Sequence, residues 1–308
     1  MGIRNVNAAD HPHHEMEPAR RPESGGKRQR RAGRLRRGPI TRSREIWRYR
    51  STLWLLVKRD LKVRYADSLL GYFWSVLDPL VMSLIYWFVF TQIFQRPGQA
   101  PYIIFLLLAL LPWLWFTAGI TEGAKALKSQ ARLIRSTAVP REIWVLRSVV
   151  AKGIEFTFAI PVLVIFMMFY LDELSVNSNI WLFAVAIIMQ FVLLVGLGLL
   201  LAPLMILLKD IEPLIRLATR FLFYASPVIY GLLDVFGGDE GRQLLPDAVQ
   251  GVYLLNPMSG ILSAYRSGFF PPEHSWVAIG TSATICLVTF VVGWYVFARF
   301  EKTVLKEM

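Results

Sequence analysis

From Ile180 to Leu208 the chain carries no charged side chain, and that stretch restricts the fold more than any other feature. A segment so long and so apolar must satisfy its own backbone N–H and C=O groups once it leaves water, which an α-helix does and an open strand does not. Similar segments accompany it, so the expected spans run over about 69–94, 101–122, 148–171, 180–208, 214–233 and 275–298. Each is near or above the roughly 20 residues that cross a hydrocarbon core. With 55% hydrophobic residues in a chain of 308, the composition is too apolar for an ordinary soluble domain. The predicted fold class is an all-α integral membrane protein, with a six-span domain over 68–308.

Charge sets the expected orientation. The formal net charge is +12, yet residues 1–68 hold 18 Lys/Arg against 7 acids, while residues 69–308 hold 16 against 15. The excess therefore belongs to the N-terminal arm, where anionic headgroups explain it better than nucleic acid, which would also require a folded reading module. Seven cations lie between Lys125 and Lys152, and Lys209, Arg216 and Arg220 cluster at another connection. Asp172-Glu173 to Asn179 has none. The positive-inside rule then places both termini in the cytoplasm of a multi-pass plasma-membrane protein. Trp181, Trp276 and Tyr170 fall near the expected outer ends, where amphipathic aromatics are favoured.

Residues 1–40 are polar and rich in Arg, Pro and Gly. They have too little apolar surface to offset ordering entropy and are expected to form a disordered cytoplasmic tail, with His11, His13 and His14 solvated in it. An amphipathic interface helix is expected over 41–67: Ile46, Tyr49, Leu53, Val57, Leu61 and Tyr65 recur at three- and four-residue spacing, Trp47 and Trp54 flank them, and cations fill much of the rest. Between Asp234 and Ser275 short apolar pieces alternate with breakers such as Asn256-Pro257 and Pro271-Pro272. Over 240–272 this predicts re-entrant or interfacial helices on the external side.

No G-x-x-x-x-G-K-[ST], H-E-x-x-H or G-x-S-x-G run is present, and the single Cys286 lies in an apolar run. No catalytic, metal-binding or disulfide chemistry is therefore expected of the chain. Ionisable residues inside or near spans, namely Asp78, Glu122, Glu155, Arg216 and Arg220, should face protein or water.

The segment Arg59-Asp60-Leu61-Lys62-x-Arg64-Tyr65-x-x-Ser68-x-Leu70-Gly71-x-x-Trp74-x-x-x-x-Pro79-Leu80 resembles the N-terminal signature of ABC-transporter permeases that export polysaccharides. Blocks at Leu133-Ile134 to Ile143, Lys209-Asp210-Ile211, Ser226-Pro227-Val228-Ile229-Tyr230 and Leu255-Asn256-Pro257-Met258 to Arg266 follow in family order. That family includes exporters of O-antigen, teichoic acid and capsule, and the Arg-rich arm suggests an actinobacterial branch such as the mycobacterial galactan exporters. The resemblance implies a homodimer of permease chains bound to two copies of a separate ATPase subunit, which would hold the ATP and Mg. It implies export of a polyprenyl-diphosphate-linked glycan, and no cofactor in this chain. Six spans alone make a narrow bundle for a polymer, which agrees with pairing of two chains.

Within that resemblance the stretch Ser129 to Arg141 is expected to be the coupling helix, with Arg132, Arg135, Arg141 and Glu142 at the ATPase and Lys209 and Asp210 as a second contact. The bland alternative is that these cations only enforce topology. An anionic lipid diphosphate needs cations where it enters, which selects Arg59, Lys62 and Arg64; bulk anionic lipid would select the same three. Sugar C–H faces stack on aromatic rings, so Tyr72, Trp74, Tyr86, Trp87, Trp113, Trp115, Tyr224 and Tyr230 are candidates for the glycan path, although most aromatics in spans face lipid or core. The competing functions are a membrane-embedded enzyme or assembly factor of envelope glycan synthesis and an ABC permease for small molecules.

Overall fold

The computed structural model describes Gly2 and residues 39–65, 73–93, 101–237 and 246–307. Two units divide at Arg44/Glu45. Of the first, Gly2 and the start of helix α1 (Pro39–Arg48) are described, so the expected tail over 1–40 lies almost wholly outside the described residues. The second unit contains the rest, and among its described residues every regular element is helical.

Four helices are long and apolar enough to cross a bilayer on their own: α4 (Tyr102–Ser129), α6 (Glu142–Phe169), α7 (Trp181–Leu207, with the 3₁₀ turn Ser178–Ile180 before it) and α12 (Trp276–Glu307). The protein is thus an all-α integral membrane protein. The other two expected spans are built differently. α3 (Trp74–Trp87) continues directly into a π-helical turn, Phe88–Ile93. α8 (Ile211–Ala225) stops at Ser226, whose ψ of 151° is extended as expected before Pro227. At about 1.5 Å per residue, α8 covers only about 22 Å.

α4 is the most enclosed of the long helices, packed between α6 and α7, while α12 lies along α7. Small residues permit these approaches. A Cβ on Gly123 of α4 would lie 3.3 Å from the Gly198 Cα of α7, and one on Gly293 of α12 would meet the Gly196 backbone of α7. Close backbone contact of this kind replaces the hydrophobic drive that is missing between helices in lipid. Gln190 of α7 donates to the Pro112 carbonyl of α4 at 2.7 Å, a polar tie inside the bundle.

α2 (Arg50–Tyr65) follows α1 after a turn at Tyr49. Its stripe Leu53, Val57 and Leu61 packs on Val150, Ala151 and Ile154 of α6. Trp47, Trp54, Leu55 and Val63 remain exposed, with Arg50 over the Trp47 ring and Lys58 over the Trp54 ring. The helix therefore has two apolar faces: one is buried against the bundle, and the other has the Trp and cation composition of an interfacial helix.

After α9 (Leu232–Phe236) come α10 (Asp247–Leu254) and α11 (Pro257–Arg266), both too short to span. Asn256 caps α11 by accepting from the Met258 N–H at 3.0 Å, and its amide donates to the Ala225 carbonyl and the Ser226 hydroxyl. Met258 through Arg266 are all buried, so the backbone of this broken segment is covered by protein. Arg266 explains why a charge is tolerated there. Its guanidinium donates to the carbonyls of Phe105, Pro227, Val228 and Tyr230, lies 3.5 Å from the Phe105 ring centre, and faces Glu273 at 3.9 Å.

The other ion pairs gather at the opposite end, where α4 finishes and α6 begins. There Asp60 meets Arg147 at 2.8 Å, Glu212 bridges Lys125 at 2.8 Å and Arg216 at 2.9 Å, and Arg141 pairs with Glu301. Burial pushes the Asp60 carboxyl above its usual range despite Arg147, Arg59 and Arg64 nearby. Hydrogen bonding from Lys125 holds the Glu212 carboxyl below its usual range.

Candidate functional site

At this basic end α2, α3, α4 and α6 enclose a cleft of about 580 Å³. One side is charged. Arg64 of α2 approaches Glu155 of α6 at 3.0 Å and Glu122 of α4 at 3.9 Å, while Lys152, one turn before Glu155, donates to it at 2.8 Å. Lys152 is 8% exposed, and a cation so deep in an apolar helix is retained only with a partner. The other side is aromatic: Trp74, Trp115 and Phe156, with the last two stacked at 5.0 Å and 15°.

Local sequence accounts for this placement. Lys152, Glu155 and Phe156 stand three and four residues apart and so share one face of α6. Gly153 lies beside them, where a Cβ would come 3.2 Å from the Trp115 ring, so glycine makes room for the indole edge. The Trp115 N–H is buried without a hydrogen-bond partner among the described residues. Thr117 and Thr121 also line the cleft, their hydroxyls bonded back to α4 carbonyls and keeping acceptor capacity. The arrangement can hold an anionic group against Arg64 and Lys152 and a flat apolar face against the rings.

Of the three cations selected as an entrance, Arg64 lines this cleft, while Arg59 and Lys62 are exposed elsewhere on α2. Of the path aromatics, Trp74 and Trp115 line it, and Tyr72 lies outside the described residues. Tyr86, Trp113 and Tyr224 instead surround Phe223, with ring centres 6.2, 5.5 and 5.2 Å from it. Trp87 is partly buried against the core. Tyr230 donates to the Tyr224 carbonyl and meets the Tyr253 hydroxyl at 3.3 Å, at the far end. Lys152, Glu155 and Phe156 were not among the selected site residues; a Lys-x-x-Glu-Phe run inside an otherwise apolar span is the signal that would have found them.

The expected coupling helix is shorter than Ser129 to Arg141. α5 covers Ala131–Ser136 and ends where Thr137 turns extended, with ψ 153°; Pro140, three residues on, restricts Val139 before it. Ile134 anchors α5 in the core, and Arg132 and Arg135 point outward, lining with Lys128 an open depression of about 810 Å³. Arg141 is engaged with Glu301 and Glu142 is buried, whereas Lys209 and Asp210 are exposed.

The sequence matches the family profile described as ABC-2 type transporter over residues 51–270. It is 28% identical over 247 residues to the O-antigen export system permease protein RfbA of Klebsiella pneumoniae, covering 80% of this chain and 91% of that one. A protein of the same name from Myxococcus xanthus is 28% identical over 258 residues, with 84% and 94% covered. The polysialic acid transport protein KpsM of Escherichia coli is 20% identical over 259 residues, with 82% and 95% covered.

Proposed function

The chain belongs to the ABC-2 type transporter family, and from that premise we propose that it is the transmembrane subunit of an exporter for a polyprenyl-diphosphate-linked polysaccharide of the O-antigen, teichoic acid or galactan type. A separate ATPase, holding ATP and Mg, drives it, and two permease chains pair with two such subunits. The basic end faces the cytoplasm, both termini lie there, and α3 with its π-helical turn and α8 complete six crossings within the assembly. The relatives named for O-antigen export and polysialic acid transport support the glycan class.

The observation that carries this reading is the cleft. It sets two cations beside stacked rings at the end where a cytoplasmic lipid-linked glycan would arrive: Arg64 and Lys152 suit the diphosphate, and Trp74, Trp115 and Phe156 suit the first sugars or the polyprenyl stem. Outward-pointing Arg132 and Arg135 on α5, with Lys209 and Asp210, form the docking surface for the ATPase. Alternating access then moves the paired bundles as rigid bodies.

Deletion of the gene tests this. Polymer still attached to its lipid should accumulate on the cytoplasmic face while surface polymer disappears, and the wild-type gene should restore export. An Arg64→Gln, Lys152→Gln variant present at normal membrane levels should not. Normal surface polymer in the deletion strain would overturn the assignment, and ATP hydrolysis by the purified chain alone would overturn the subunit role.

A further inference from the structure

We propose that Glu155 occupies the place of the substrate's phosphate in the unloaded permease and is displaced by it, so that this carboxylate determines which anionic headgroups the cleft admits. The inference rests on the reading of the cleft given above.

Three observations lead to it. Glu155 holds both cations at once, Arg64 at 3.0 Å and Lys152 at 2.8 Å, the pair of charge-assisted contacts that phosphate oxygens would make. The cleft is formally neutral as it stands, because Arg64 and Lys152 are matched by Glu122 and Glu155. An anion therefore gains little from it until a carboxylate leaves. On the aromatic side of the same cleft, the deeply buried Trp115 N–H is a donor without a partner among the described residues, and a ligand oxygen would satisfy it.

The geometry also fixes which carboxylate yields. Glu122 stands 3.9 Å from Arg64, outside hydrogen-bonding range, and is about half exposed, so it contributes field without occupying the site. Glu155 and Lys152 travel together on α6, whereas Arg64 comes from α2. Displacing Glu155 therefore opens the contact between two elements and frees both cations.

Selectivity follows from the exchange. A singly charged headgroup, such as that of phosphatidylglycerol, replaces one carboxylate by one monoanion and gains little. A diphosphate brings more charge and more acceptor oxygens, engages both cations and still has an oxygen for the Trp115 N–H. By holding both cations, the carboxylate turns away the bulk lipid that they would otherwise collect.

The test is titration calorimetry on the purified full chain in detergent with farnesyl diphosphate, dihexanoyl phosphatidylglycerol and farnesol. Wild type should bind the diphosphate best and farnesol least. Glu155→Gln should tighten phosphatidylglycerol more than diphosphate, shrinking the preference about tenfold or more. Glu155→Asp, which keeps the charge but is too short to reach both cations, should fall between and serves if the Gln variant folds poorly. Unchanged or weaker phosphatidylglycerol binding in both variants, with wild type still preferring diphosphate and Arg64→Gln losing it, would overturn the displacement role while leaving the cleft as the headgroup site. Wild-type binding of diphosphate no better than farnesol would overturn the cleft reading and the inference with it.

Discussion

Gly293 of α12 rests so closely on Gly196 of α7 that a Cβ added to it would collide with the Gly196 carbonyl oxygen. The colliding atom is backbone, so no side-chain rotation can relieve it. Gly293→Ala should force the two helices apart and lower stability by about 1–3 kcal/mol. Gly280 of the same helix has nothing within 4 Å of the added carbon, so Gly280→Ala should be neutral or stabilising by up to about 1 kcal/mol through helix propensity. Thermal unfolding of both variants in one detergent makes the comparison; equal losses would mean that the close approach does not hold α12 in place.

Asp60 and Arg147 join α2 to α6, and their environments are unequal: the guanidinium side chain is 5% exposed and also lies over Trp144, while the carboxylate side chain is 28% exposed. Asp60→Asn strands the more buried charge and should cost about 1–3 kcal/mol, less than for a fully enclosed pair. Replacing both together, Asp60→Leu with Arg147→Met, should recover most of the loss, because removing a buried pair costs less than breaking one. Denaturant titration of single and double variants would reveal additive losses if the pair carried no coupling.

These two contacts mark how far the fold could be read from sequence. The apolar stretch from Ile180 to Leu208 becomes α7 nearly residue for residue, since hydrocarbon leaves a long uncharged segment little alternative to a helix. Span ends were less legible: α4 runs on to Ser129 and α6 begins at Glu142, because charged residues continue a helix into water without breaking it. α8 reads as apolar, yet it is strongly two-sided, with Leu214, Leu217, Phe221 and Tyr224 exposed along one stripe. Of the residues that line the cleft, Arg64, Trp74 and Trp115 are among those the sequence selects for the substrate that the family resemblance implies. Lys152 and Glu155 were not joined to them, because which face of α6 meets α2 is decided by packing of Val57 and Leu61 on Ala151, far away in sequence.

Arg266 spreads its donors over four carbonyls from two separate stretches of chain. An ammonium cannot reproduce that planar fork. Arg266→Met should cost about 3–5 kcal/mol by leaving Glu273 and several carbonyls buried without their cation, and Arg266→Lys should recover only part of it. Yield of detergent-stable protein and its unfolding temperature measure both; a Lys variant as stable as wild type would show that charge alone suffices.

Arg132 and Arg135 project from α5 while Ile134 anchors it, so reversing the two charges should spare the fold and strike the partner surface. Arg132→Glu with Arg135→Glu should abolish co-purification of the ATPase and export, at an unfolding temperature close to wild type. Retained co-purification would move the coupling contact elsewhere, with Lys209-Asp210 the next surface to reverse.

Acid should weaken the tie between α4 and α8. Hydrogen bonding from Lys125, with further help from Arg216, holds the Glu212 carboxyl below its ordinary value of 4.5. The unfolded chain therefore takes up this proton first as pH falls, and the stabilisation, complete above about 4.5, is lost as pH drops through the lower folded value. Glu212→Gln should be less stable than wild type at pH 7 and converge with it once the pH has fallen below the lowered folded value. Parallel stability curves for wild type and Glu212→Gln across this range would mean that the bridge to Lys125 contributes nothing that a neutral amide cannot.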